Sequence, residues 1–255
     1  MSAGGARLVV SAADGGRIAS LIVGGRELTA AVDEGPIWWG SFPMAPFAGR
    51  VRDGQFRFRG ESFQLPIDLP PHAIHGTVYR QPWTIVDDAT IAIRLGDPWP
   101  FPGTVVQRFS LEPDSMRVTM SLRAEQPMPA SIGWHPWFRR RLTESGDDVD
   151  LQFDAELMFE RDATGIPTGR LVGPTERPWD DCFTGVRADP VVRWGNDLEL
   201  TIGSSCDCWV VFDQRPDGIC VEPQTAPPDA LNHEPAIVEP GKPLIATMEW
   251  RWKTG

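Results

Sequence analysis

The sequence predicts an all-β protein, and three observations carry that expectation. Short runs alternate apolar and polar residues with a period of two. Gly and Pro, 25 of each in 255 residues, are spread along the whole chain and break these runs into short pieces. No segment sustains a 3.6-residue period between caps. Alternation marks half-buried strands, and many short strands with turn signals and no helix read as an antiparallel β-sandwich or barrel.

The elements follow in chain order. RLVVS (7–11) and RIASLIV (17–23) are rich in β-branched residues. QFRFRGESFQL (55–65) reads as a hairpin: Phe56 and Phe58 face one way, and Phe63 and Leu65 answer them across a turn at Gly60. TIAIRL (90–95), VVQRFSL (105–111) and MRVTMSLRA (116–124) are alternating strands, as are LELTI (198–202) and LIATMEWRW (244–252), with CWVVF (208–212) a short apolar one. The charged run at 139–148 reads as an exposed loop. The proline-rich stretch at 65–72 is too short and too punctuated by apolar residues to be a linker, and no fixed-period repeat occurs. One domain over residues 1–255 is expected, since all-β sandwiches commonly reach roughly 200–250 residues as a single unit.

A net charge of −11 argues against a nucleic-acid partner and, more mildly, against a phosphorylated substrate. Cys182, Cys206, Cys208 and Cys220 form no CxxC pair and are expected to be reduced thiols. Cys206 and Cys208, two apart, would share one face of a strand. The chain starts without a basic segment leading into an apolar run, and no stretch reaches the ~18 apolar residues of a membrane helix, so a cytoplasmic location is expected. Eleven Trp against one Tyr fit either β-sheet cores or platforms for stacking on sugars.

Five stretches carry candidate chemistry. In ICVEPQT, an apolar run delivers Glu222 and then meets Pro223, which places the carboxylate at an expected strand end as a candidate general base. In GWHPWF, His135 stands among aromatic residues with a side chain that can trade a proton near neutrality, or serves as a core histidine capping a strand end. In HAIHG, His72 and His75 are three apart and on a strand would point to opposite faces, so they are poorly placed to share a metal; Gly76 would allow a close backbone approach. Arg50, in FAGRVRDGQF, offers a rigid set of donors to hydroxyls or carboxylates, or makes a surface ion pair. In PWDDCF only one of Asp180 and Asp181 can face a given cleft on extended backbone, and a turn or helix N-cap is the bland alternative. His233, in DALNHEP, reads as structural. No nucleophile elbow, P-loop, dinucleotide fingerprint or HExxH is present.

Together these motifs resemble the aldose 1-epimerase (galactose mutarotase) family. The resemblance runs in order through PMAPFAGRVRDGQFRFRGESFQL, HAIHG, MPASIGWHPWF, WDDCF, CVEPQTAPPDALN and EPGKPLIATMEWRW. It implies a large antiparallel β-sandwich of the galactose mutarotase-like supersandwich type. It implies Glu222 as general base, His135 as general acid and His75 as a second active-site histidine near the sugar ring oxygen. Arg50 and Asp180 would bind substrate, with Asp181 the alternative to Asp180, and Gln224 would line the pocket. Trp38, Trp39 or Trp137 would stack on the sugar. The implied activity is interconversion of the α and β anomers of a free aldose, without metal or cofactor, by a monomer or homodimer. A noncatalytic carbohydrate-binding protein, a hexose-6-phosphate mutarotase kept open by the basic run at 139–141, and a metal-dependent jelly-roll enzyme are the competing expectations.

Overall fold

A computed structural model describes residues 1–30 and 35–255. Among these, two antiparallel sheets of 11 and 8 strands dominate, and the only helical pieces are two 3-10 turns, Arg52–Gly54 and Ala230–Asn232. The expected strands are present. RIASLIV, TIAIRL and CWVVF match strands Arg17–Val23, Thr90–Leu95 and Cys208–Phe212, and the hairpin forms with Phe56 paired to Phe63, their rings stacked at 5.1 Å. Arg59 and Gly60 make its two-residue turn, both with positive φ, the twist that matches paired strands.

The sheets pack face to face as a sandwich. Phe138 from the larger sheet meets Trp250 and Trp194 from the smaller, with Phe138 and Trp250 ring centres 5.0 Å apart. Burying Trp134 leaves its indole N–H in need of a partner, and it donates to Gln107 Oε1 across the sandwich at 2.9 Å. The smaller sheet shows clean alternation in strands such as Gly103–Glu112, because one of its faces meets solvent.

The centre of the larger sheet is covered on both faces. Strand Gly218–Gln224 is buried throughout, and Gly133–Arg139 is buried up to its last residue. Ile219, Val221, Trp134 and Phe138 point into the sandwich, while Cys220, Trp137 and Phe42 belong to a second apolar cluster on the opposite face. That second face carries the candidate site.

Glu222 is not at a strand end: the strand continues through Pro223 to Gln224. Pro223 is tolerated because the neighbouring strand has its own proline nearby. Between Gly133–Gln224 and Trp137–Cys220 the two strands form no ladder pairs, and that interval contains Pro136 and Pro223, neither of which has an N–H to donate. The register is the same on both sides of the interval, so His135 falls directly opposite Glu222. Likewise His135 is a mid-strand residue and caps no strand end. Cys206 precedes the strand that begins at Cys208, so the two do not share a strand face. All four cysteines are free and buried. No helix among the described residues is long and apolar enough to cross a membrane.

Candidate active site

Strand register alone assembles the floor of a cleft. Phe42 pairs with His135, His135 lies opposite Glu222, Glu222 pairs with Val210, and Val210 with Cys182. One row along, Trp137 pairs with Cys220, Cys220 with Phe212, and Phe212 with Asp180. Directly paired residues share a face, so these two rows place an imidazole and two carboxylates on one patch of sheet. Arg50, His75, Ile37, Trp38, Leu69 and Pro228 stand over the patch and complete the cleft.

His135 and Glu222 touch: Nε2 to Oε1 is 3.2 Å, and both residues are buried. The His135 ring is sandwiched between Phe42, at 4.6 Å and 20°, and Trp137, at 5.5 Å and 26°. His75 stands edge-on to it at 4.8 Å. Trp137 is itself fixed by its indole N–H, which donates to Ile37 O at 2.8 Å.

The HAIHG motif is not one strand with its histidines on opposite faces. Only Ala73–Ile74 is strand; His75 follows with φ 60 and Gly76 with φ 81. Gly76 is required here, because a Cβ at that position would lie 2.0 Å from Ala45 O. The His75 N–H donates to Gly49 O at 2.9 Å, which ties the histidine loop to the arginine loop. His72 points elsewhere, its Nδ1 accepting from the Asp53 N–H at 3.1 Å.

Arg50 reaches Asp180 Oδ2 at 3.4 Å with both side chains mostly buried. Gly165, with φ +85, packs on the guanidinium; a Cβ there would lie 3.0 Å from Arg50 Cζ. Asp180 opens strand Asp180–Val186 and faces the cleft, whereas Asp181 turns away to Arg161 at 2.6 Å. Asp180 is neither turn nor helix cap. Gln224 is not brought to the cleft wall: it is fully buried in the next row, where its Nε2 donates to Cys182 Sγ at 3.7 Å. Of the three tryptophans, Trp38 and Trp137 line the cleft and Trp39 does not; the Arg17 guanidinium lies 4.2 Å over the Trp39 ring.

Three contributors were not singled out from the sequence. Phe42 is the ring that both histidines touch, the His75 contact being edge-on at 5.6 Å. Asp229 is buried with φ 63; its N–H donates to Arg50 O at 2.6 Å, and its Oδ1 accepts from the Arg52 N–H at 2.9 Å, so it holds the Arg50 segment from both sides. His233, largely exposed, leans on the other Asp229 oxygen at 3.5 Å. Arg17 is buried, with its N–H groups donating to the carbonyls of Asp14, Trp39 and Tyr79. Its charge lies 5.4 Å from the Phe42 ring, behind His135. A turn-prone Asp in PPDALN was a usable signal for Asp229.

Burial governs the electrostatics. It pushes the Glu222 carboxyl well above its ordinary range, the Asp180 charge adds to that, and Arg50 opposes it. Burial also lowers His135 to about 3, with the positive charges of Arg17 and Arg50 acting the same way. His75 is lowered as well, by burial and then by its neighbours His135, Arg50 and Arg80. Asp180 is raised by burial against the pull of Arg50. Both shifts favour the uncharged forms, so the 3.2 Å Glu222–His135 contact is biased away from an ion pair at rest.

The histidine spacing spoke against a metal, yet the structure brings together a different donor set. His135, Cys220 and Glu222 each offer one donor atom, all within 4.8 Å of one another.

The sequence profile of the aldose 1-epimerase family matches residues 1–251. The chain belongs to the aldose 1-epimerase family. Among curated relatives it is 24% identical over 251 residues to the uncharacterized protein YphB of Escherichia coli, covering 82% of each chain. It is 23% identical over 167 residues to human galactose mutarotase, covering 61% of this chain and 48% of that protein. Among solved structures, a galactose mutarotase-like protein from Clostridium acetobutylicum superposes with a TM-score of 0.87 at 16% identity, over 100% of this chain and 94% of that one. A galactose 1-epimerase from Lactobacillus acidophilus gives 0.81 at 17% identity, over 99% and 92%. These structures show the shared fold, the galactose mutarotase-like β-sandwich.

Proposed function

We propose that the protein is an aldose 1-epimerase acting on a free aldose, with residues 1–255 working as one unit. The observation that carries this reading is the buried Glu222–His135 pair at 3.2 Å on the cleft floor, flanked by His75, Arg50 and Asp180. The anomeric hydroxyl and the ring oxygen of an aldose are both bonded to C1, so an acceptor and a donor this close together serve both at once. A binding module needs no such matched pair.

The proton count closes. At rest the pair's proton is on Glu222. Transfer across the 3.2 Å contact gives a carboxylate and an imidazolium. Glu222 then takes the C1 hydroxyl proton while His135 delivers its proton to the ring oxygen. The C1–O bond of the ring breaks and the C1 carbonyl forms. Glu222 is again a neutral acid and His135 a neutral imidazole, which is the arrangement that closes the ring once the aldehyde has turned about C1–C2. His75, beside His135, holds the ring oxygen. Arg50 and Asp180 grip hydroxyls, and Trp38 and Trp137 wall the sugar. Acid and base each contribute roughly 10²–10⁴-fold.

Support for a free rather than a phosphorylated sugar comes from the run at 139–141. Arg139 donates to Thr29 O, Arg140 donates to the carbonyls of Arg215 and Asp213, and Arg141 pairs with Asp148. The Arg139 and Arg140 guanidiniums are committed to backbone carbonyls, while Arg141 is exposed beside Asp148. Polarimetry on fresh single anomers of free and phosphorylated aldoses tests the proposal. Acceleration of a free aldose is expected; acceleration of sugar phosphates alone would overturn the free-aldose assignment.

A further inference from the structure

Cys220 has no part in the proton transfers, yet it lies two residues before Glu222 on the same strand face and pairs with Trp137. It is fully buried, and its thiol is one corner of a triangle whose other corners are a carboxylate oxygen of Glu222 and a ring nitrogen of His135. We infer that Cys220, Glu222 and His135 form a three-donor site for a soft divalent cation, Zn²⁺ or Cd²⁺, that competes with the sugar for the cleft floor.

Three features of the geometry support this. Metal–ligand bonds of roughly 2.0–2.3 Å in a tetrahedral zinc site put neighbouring donors about 3.3–3.7 Å apart. The His135–Glu222 contact of 3.2 Å is already close to that edge length, and the sulfur lies within 4.8 Å of both partners. The donor set is one thiolate, one carboxylate and one imidazole, which suits zinc and its softer relatives and balances a double positive charge in a buried site. The fourth position faces the cleft, because Glu222 and His135 line it and Cys220 shares their sheet face one row along. Binding releases two protons, one from the thiol and one from the Glu222–His135 pair. With that proton gone and both partners ligated, neither can act as acid or base. Only the inhibition rests on the mutarotase reading; metal binding does not.

The test titrates the full chain with Cd²⁺ and with Co²⁺. It follows the thiolate-to-metal charge-transfer absorption and, in parallel, mutarotation of a free aldose. One equivalent is expected to develop the band while the rate falls with it. Cys220→Ser, with Cys220→Ala as a second variant, is expected to keep the metal-free rate, lose the band, and need at least about tenfold more metal for half-inhibition. That is the lower end of the ~10–100-fold loss seen for removing partners beyond the ligands themselves. Cys182→Ser should leave the band in place. No band in the unaltered chain, a band that survives both Cys220 substitutions, or undiminished metal sensitivity in those variants would overturn the inference. A band that depends on Cys220 in a chain that equilibrates no aldose would leave the metal site standing and reject the proposed function.

Discussion

Replacing Phe42 by Leu separates packing from catalysis at the centre of the site. Phe42 is fully buried, stacks on His135 at 4.6 Å, meets His75 edge-on at 5.6 Å and Tyr79 at 5.1 Å, and has the Arg17 charge at its back at 5.4 Å. Leucine keeps the site apolar but removes the flat wall. The stack contributes about 0.5–1.5 kcal/mol beyond burial, and the lost ring volume adds to this, so unfolding free energy should fall by roughly 1–3 kcal/mol. His135 then has Trp137 on one side only. A displacement of about 1 Å costs on the order of 10²-fold in rate, so kcat should fall roughly 10–100-fold with little change in KM. Water reaching His135 should also raise its pKa from about 3 toward the ordinary imidazole value. Polarimetric rates across pH, paired with urea unfolding, read all three effects. Lower stability with kcat and pH profile unchanged would show that Phe42 only fills the core.

The pair's single proton sets the pH dependence. Below the His135 value of about 3 the pair carries two protons and Glu222 cannot accept one; above the raised Glu222 value it carries none and His135 cannot donate. The acid limb of kcat/KM against pH should therefore lie far below the pKa ~6.5 of an ordinary histidine, and an acid limb near ~6.5 would contradict the burial argument. Asp180→Asn removes a charge that disfavours ionised Glu222, so the alkaline limb should move to lower pH. Arg50→Met removes an opposing charge, so that limb should move to higher pH; the reverse order of limbs would refute the assigned signs.

The fold was legible where physics leaves one face of a strand wet. Gly103–Glu112 and Ser115–Ala124 alternate because the smaller sheet has a solvent side. Strands Ser41–Met44, Gly133–Arg139 and Gly218–Gln224 are buried on both faces, so no alternation announces them. Pro223 read as a stop, and only its placement with Pro136 in one unladdered interval between neighbouring strands explains how the strands continue. The site was legible through polar residues in aromatic or glycine-rich settings, which is why Glu222, His135, His75, Arg50 and Asp180 stood out and converge on one cleft. The family resemblance put Gln224 in the pocket, but it lies in the next row, paired with Gly133 and Cys208 and outside the cleft wall. Phe42, in SFPM, has nothing in its own segment to mark it; its importance comes wholly from pairing with His135. Asp229 acts through a backbone held 177 residues away from it in sequence, at Arg52, a separation no local pattern encodes.

The central claim is that Glu222 and His135 together move the proton of an anomeric hydroxyl. Polarimetry of fresh α-D-galactose and α-D-glucose with the unaltered chain and with Glu222→Gln tests it most directly. The account predicts faster equilibration of at least one free aldose by the unaltered chain, a loss of about 10²-fold or more in Glu222→Gln, and no loss of thermal stability, because the amide is a neutral group of the same shape as the resting acid. A Glu222→Gln protein that equilibrates the sugar at the full rate would contradict it.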